Sequence, residues 1–318
     1  MGQFGYVFPG QGSQFVGMGK DIYDNFSAAR LVFEEASDHV RVDLKKLAFL
    51  GPESDLLKTE NTQPAIFVTE AAIHSVLRDI GIIGKNPPVF TAGHSLGEYA
   101  ALYASDAFSL KNAVDIVRKR GLFMQNAVPE GEGAMAAVLG FDREKLEKVI
   151  KDVTEEGNGI VAIANLNAPG QIVISGHKDA VLRASARITE TGGAKVIPLK
   201  VSIPSHCSLM EGAATKLKNA LDSYVSDGSI NEPKIPVISN ATALPYRGVD
   251  SVVSLLTDQL TKPVRWEESV SHIIKNGVTI FYEIGPGKVL QGLIKRIDRK
   301  VAVISIGDMQ SLKDAEKQ

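Results

Sequence analysis

The chain has 318 residues, 44% hydrophobic and 23% charged, which fits a globular protein with a large core and excludes a disordered one. Its 35 lysines and arginines nearly balance 37 aspartates and glutamates, for a formal net charge of −2 with no single-signed block. That balance points to neither a nucleic-acid partner nor a lipid-binding tail. One cysteine, Cys207, excludes an internal disulfide and a cysteine metal cluster, and no metal site is expected.

The opening "MGQFGYVFPGQGSQ" lacks a basic segment followed by a long apolar one, and Tyr6 breaks the myristoylation pattern. No window approaches ~18 apolar residues. The expectation is a cytoplasmic protein with no membrane partner. Within that opening, residues 4–8 form a short apolar run stopped by Pro9 and Gly10, the pattern of a buried strand. Similar runs at 88–93, 236–240 and 279–285 alternate with helical stretches at 63–80, 96–105, 110–127, 208–224 and 250–260. Strands and helices alternating in this way predict an α/β domain with a mostly parallel sheet covered on both faces.

Residues 131–200 break the rhythm. They read as strand 134–140, helix 142–155, strand 160–165, strand 171–176, helix 178–190 and strand 194–199, with "NAPGQ" (167–171) as the middle turn. This βαββαβ order is ferredoxin-like. The predicted organisation is a large hydrolase-like α/β domain of residues 1–130 and 201–318, interrupted by a small inserted domain at 131–200.

"GHSLG" (93–97) follows an apolar strand and precedes a helix. A Gly-x-Ser-x-Gly so placed is a nucleophile elbow, which lifts Ser95 above the sheet edge and leaves the following amide, that of Leu96, to bind an oxyanion. The serine needs a base. His94 adjoins it and points away; His39, His74, His177 and His272 lie in helical or insert surroundings. His206, in "IPSHCSLM", sits in a loop after the serine in chain order and is the preferred base. No carboxylate between 95 and 206 is an obvious third member, so a carbonyl or amide could orient the imidazole.

The glycine-rich "FPGQGSQFVGMG" fits neither phosphate-binding fingerprint, because its third glycine falls at 17 and no Gly-Lys-Ser/Thr follows. It could instead lend a second oxyanion amide, with Gln11 the natural donor. Arg118 and Arg120 share one helix but stand about 200° apart, so only one can face a pocket. A buried guanidinium needs an anion, which suits an acyl group ending in a carboxylate rather than a lipase substrate. At this point a serine acyltransferase, an esterase or thioesterase, and a non-catalytic carrier-protein-binding module all remain open.

Taken together, "VFPGQGSQ", "GHSLGEY", "VRKRGLFMQ", "GAMAAVLG", "NAPGQIVISG", "VSIPSHCSLM", "QLTKPVRW" and "YEIGPGKVL" resemble, in order and from residue 4 to about 297, the malonyl-CoA:acyl carrier protein transacylases. The resemblance implies malonyl-CoA as substrate, no permanently bound cofactor, and holo acyl carrier protein as partner. It implies Ser95 as the malonyl-carrying nucleophile, His206 as base, Arg120 as the carboxylate ligand and Gln11 and Leu96 as the oxyanion hole. It also implies Gln259 as the residue that orients the histidine and Asn167 as a lining residue of the cleft. Ser205, before the histidine, stands where malonyl-selective polyketide acyltransferases often carry phenylalanine, so methylmalonyl is the competing substrate.

Overall fold

The structure, a computed structural model, describes residues 2–85, 87–201 and 203–317. Among these are strands β1 (Gln3–Phe8), β2 (Pro88–Gly93), β3 (Gly133–Leu139), β4 (Val161–Ala168), β5 (Gln171–His177), β6 (Lys195–Pro198), β7 (Val237–Ile238), β8 (Val278–Ile284) and β9 (Ala302–Ile306). Five of them form a parallel sheet in the order β7-β2-β1-β8-β9.

β1 runs through the middle of that sheet and is buried on both faces, which is why its sequence is a continuous apolar run rather than an alternating one. Alternation still decides which core each side chain joins. Tyr6 and Phe8 pack with Phe67, Tyr99 and Ile284 on one face, and Val7 packs with Ala92, Trp266 and Phe281 on the other. β1 and β2 end in register, Phe8 beside Gly93, so their carboxyl ends define one edge of the sheet.

The first face is covered by the Thr59–Asp79 helix, which is buried over most of its length although Pro64 lies within it. Proline has no N–H for the carbonyl four residues earlier, that of Glu60. Arg118 donates to that carbonyl instead and also to Asn61 Oδ1 at 3.0 Å.

The remaining strands form an antiparallel sheet in the order β4-β5-β3-β6, with the Arg143–Glu155 and Lys178–Glu190 helices between them in sequence. That is the ferredoxin-like connectivity predicted. Leu146, Val153, Ala184 and Ile188 of the helices pack onto one face, while Met135, Ala164 and Val173 form a small cluster on the other. Main-chain bonds tie β4 to the segment that precedes the Trp266–Lys275 helix: Leu166 N–H to Val264 O and Val264 N–H to Ala164 O, both 2.8 Å.

Three details differ from the sequence expectations. The strand predicted at 236–240 is only Val237–Ile238, because Ser239 N–H turns back to Leu244 O and Ala243 N–H to Ser239 O. The turn predicted at 167–171 contracts to Pro169–Gly170, with Ala168 already paired to Gln171, so Asn167 belongs to β4. Strand β9 lies outside the predicted elements, as do the Ser27–Val40, Trp266–Lys275 and Val289–Ile297 helices and shorter ones such as Leu44–Leu50 and Met309–Glu316.

Candidate active site

Ser95 sits between the end of β2 and the Gly97–Ala104 helix with φ of 53°, in the left-handed region. A non-glycine residue there is held against a cost of about 1–3 kcal/mol. The flanking glycines make the bend possible by absence of bulk. A Cβ on Gly93 would fall 1.9 Å from the Gly97 carbonyl carbon, and one on Gly97 would fall 2.1 Å from the Phe8 carbonyl oxygen. Strand, helix and the neighbouring β1 thus meet at backbone contact, as an elbow requires.

Ser95 Oγ lies 2.8 Å from His206 Nε2, and His206 Nδ1 lies 2.6 Å from the backbone oxygen of Gln259. A carbonyl only accepts, so Nδ1 carries the proton and Nε2 is left bare to accept from the serine hydroxyl. The orienting group is therefore a main-chain carbonyl, and no carboxylate is needed. Burial, aided by the charge of Arg120, pushes the His206 pKa down to about 3, so the imidazole is neutral at ordinary pH.

Of the two candidate arginines, Arg120 is the one brought to the serine. It is fully buried, its Nη2 donates to Ser95 Oγ at 3.1 Å and to Gln259 Oε1 at 2.9 Å, and its guanidinium lies 5.4 Å from the Tyr99 ring centre. Among the described residues its Nε and Nη1 have no aligned hydrogen-bond partner, although the Tyr99 hydroxyl lies close enough to favour its charge. A buried guanidinium with part of its fork unused is costly unless an anion comes to it.

Gln11 and Arg120 line one cavity of about 240 Å³ together with Ser95, His206 and Asn167; Met124, Met135, Val173 and Leu290 supply apolar wall. Leu96 is buried beneath the elbow, and neither its amide N–H nor that of Gln11 donates elsewhere among the described residues. Asn167 Oδ1 lies 2.8 Å from His94 Nε2, and the His94 ring packs on Trp266, so that histidine is turned away from the serine. His74 is buried between Phe8 and Tyr103, His177 Nδ1 accepts from Ile160 N–H, and His39 is exposed.

The acyl transferase domain family matches residues 5–315. The malonyl CoA-acyl carrier protein transacylase of Bacillus subtilis strain 168 is 48% identical over 312 residues, covering 98% of this chain and 96% of that protein. The chain belongs to the malonyl CoA-acyl carrier protein transacylases. The solved malonyl CoA-acyl carrier protein transacylase of Clostridium perfringens has 42% identity and a TM-score of 0.92 over 99% of this chain and 96% of its own. A malonyl-transacylase solved in complex with a type II PKS acyl-carrier protein has 41% identity and a TM-score of 0.94, over 99% of this chain and 100% of its own.

Within this transacylase fold, two groups at the site escape the sequence reading. Asn240, which follows the neighbouring strand β7, accepts the Ser95 N–H on Oδ1 and donates from Nδ2 to Gly93 O, both at 2.7 Å, bracing the elbow. Glu98, buried on the helix after the serine, accepts from the side chains of Tyr246 and Gln259 and from Asn240 N–H. The signal for Asn240 was its place at the carboxyl end of a predicted strand. Glu98 gave none, since a glutamate in a helix reads as solvent-facing.

The glutamine expected to orient the histidine does so only through its backbone. Its side chain serves Arg120, Ser95 O at 2.9 Å and Glu98.

Proposed function

We propose that the chain moves a malonyl group from malonyl-CoA to the phosphopantetheine thiol of holo acyl carrier protein, through an ester on Ser95, supplying extender units for fatty-acid synthesis. The observation that carries this reading is the unused, buried fork of Arg120 beside the serine hydroxyl. A carboxylate on the acyl group would complete it in bidentate fashion. Uncharged acyl groups would leave it unsatisfied.

In the first half-reaction His206 Nε2 takes the Ser95 proton as Oγ attacks the thioester carbon. The oxyanion is held by the N–H groups of Gln11 and Leu96, and the C–S bond breaks with the proton returned from Nε2 to the CoA thiolate. In the second, Nε2 takes the proton of the pantetheine thiol, the thiolate attacks the ester, and Ser95 Oγ leaves with that proton. Asn167 holds His94 aside and lines the cleft. The assigned catalytic domain comprises residues 1–130 and 201–318 with an inserted domain at 131–200, and the apolar Met135–Val173 face of the insert closes over the acyl group.

The chemistry uses only side chains and main-chain amides, with no permanently bound cofactor. Among the described residues no cluster of His, Cys, Asp and Glu could hold a metal, and no helix is long and apolar enough to cross a membrane. We assign the reaction to the cytoplasm, with malonyl rather than methylmalonyl as substrate.

The test is intact mass after mixing with malonyl-CoA. A malonyl adduct is expected on the native chain and none on Ser95→Ala, whose turnover falls roughly 10³-fold or more. Release of free malonate as fast without a thiol acceptor as with one would make the protein a thioesterase instead.

A further inference from the structure

The buried groups under the nucleophile form one polar cluster that catalysis as described does not use directly. Glu98 is its centre. Oε1 accepts from Tyr246 Oη–H, Oε2 from Gln259 Nε2–H, and Asn240 N–H lies 3.2 Å from both oxygens. Every one of these partners is a donor, and Glu98 is fully enclosed.

An amide side chain has two ends, and a flip exchanges them. With Nε2 of Gln259 held by Glu98 and by Ser95 O, Oε1 must face Arg120, where it accepts from Nη2 at 2.9 Å. Nη2 is thereby fixed between Oε1 and Ser95 Oγ. Among the described residues the rest of the fork, Nε and Nη1, then has no aligned partner. Were Gln259 flipped, its NH2 would confront the guanidinium, donor against donor, and Arg120 would have to swing away.

We infer that Glu98 is a specificity-setting positioning residue: by fixing the amide of Gln259 it holds Arg120 in the one orientation that presents unpaired N–H groups to an acyl carboxylate. This rests on the reading of Arg120 given under Proposed function. Glu98 touches no reacting atom, and although Arg120 also donates to Ser95 Oγ, its effect should fall mainly on acyl groups whose carboxylate the arginine binds. It should not touch the His206 relay, because the carbonyl that orients His206 belongs to the Gln259 backbone.

The experiment compares kcat/KM for malonyl-CoA and acetyl-CoA in the full chain with the same acyl carrier protein acceptor. Glu98→Ala should lower the malonyl-to-acetyl ratio about tenfold, through a higher KM for malonyl-CoA, the effect of losing one orienting hydrogen bond. Glu98→Gln should keep most of the ratio. Its carbonyl can accept from Gln259 and its NH2 can donate to Tyr246 Oη, which rotates to receive it.

Gln259→Ala, which retains the backbone carbonyl, should reproduce the Glu98→Ala loss and serves if that variant does not fold. Tyr246→Phe, which removes a donor to Glu98 without touching Gln259, should lower the melting temperature but not the ratio. An unchanged ratio in Glu98→Ala and Gln259→Ala, an equal fall for both acyl donors, or a loss in Glu98→Gln as large as in Glu98→Ala each overturns the inference. Arg120→Ala separates the two levels: if it loses malonyl preference while Glu98→Ala does not, only the role of Glu98 fails. If Arg120→Ala keeps that preference, the reading of the arginine fails and the inference with it.

Discussion

Arg120 is a fully buried charge, and this shapes the groups around it. Its guanidinium, second to burial itself, depresses the basicity of His206, and it offsets the carboxylate of Glu98, whose pKa burial pushes up to about 7. Replacing it with alanine should cost malonyl transfer about 10²-fold while transfer of uncharged acyl groups such as acetyl improves, read in a competition assay with both CoA esters.

The depressed pKa of His206 also fixes a pH profile. A base that protonates only near pH 3 is available throughout the neutral and mildly acidic range. The rate of ester formation on Ser95 from an uncharged donor such as acetyl-CoA should therefore stay flat from about pH 8 to about pH 5, with no limb near the ordinary imidazole value of 6.5. Rapid-quench mass spectrometry across that range would show it, and a clear fall between pH 7 and about 6 would contradict it.

At the scale of elements, the site depends on how closely β1, β2 and the Gly97–Ala104 helix approach one another. The contact at Gly93 is with backbone atoms that have nowhere to move, so Gly93→Ala should destabilise the fold by about 3 kcal/mol or more and displace Ser95. Urea unfolding gives the stability, and residual acylation gives the displacement. Asn240→Ala tests the same joint more gently. It removes both bonds that pin the elbow, at about 1–3 kcal/mol for the stranded Ser95 N–H and Gly93 carbonyl. It should slow acylation with malonyl and acetyl donors alike, which distinguishes a brace of the nucleophile from a specificity residue.

For the whole molecule, acid stability is set by imidazoles that fold neutral. His74 and His206 have pKa values lowered by burial to about 4 and about 3, and burial lowers that of His94 as well. Below about 6.5 the unfolded chain binds protons that the folded one refuses, so stability falls as pH drops through that value toward 4 and 3. Glu98 works the other way, as do Glu70 and Glu283, whose pKa values burial also raises. The folded chain keeps the Glu98 proton between the ordinary 4.5 and about 7 while the unfolded chain has lost it, so that contribution diminishes as pH rises across that interval. The opposing trends partly cancel above 4.5; below it the carboxylates of Glu268 and Asp314, held below their ordinary values by bonds from Arg265 and from Gln310 and Lys317, add to the histidine losses. His74→Gln should flatten the acid decline by up to ~1.4 kcal/mol per pH unit between about 6.5 and 4, measured as denaturation midpoints.

Much of the architecture was legible along the chain because it is written locally. The apolar runs of β1, β2 and β8, the Gly-x-Ser-x-Gly bend and the βαββαβ order of the insert follow from side-chain period and turn residues that each segment carries itself. The sequence by itself likewise determined that a serine at residue 95 stands at a strand-to-helix bend, and that His206 lies in a loop later in the chain.

What only the tertiary structure decided are relations between segments far apart. Period alone put Arg118 and Arg120 on opposite sides of a helix. It took Pro64 of another helix, with its missing N–H, to claim Arg118 and leave Arg120 for the cavity. The group on His206 Nδ1 is a main-chain carbonyl, and every residue has one, so the family resemblance pointed to Gln259 but only the tertiary structure showed that its backbone serves. The roles of Asn240 and Glu98 were likewise not written locally: they come from donors and acceptors meeting across about 140 residues of chain, in a core where most polar atoms are paired.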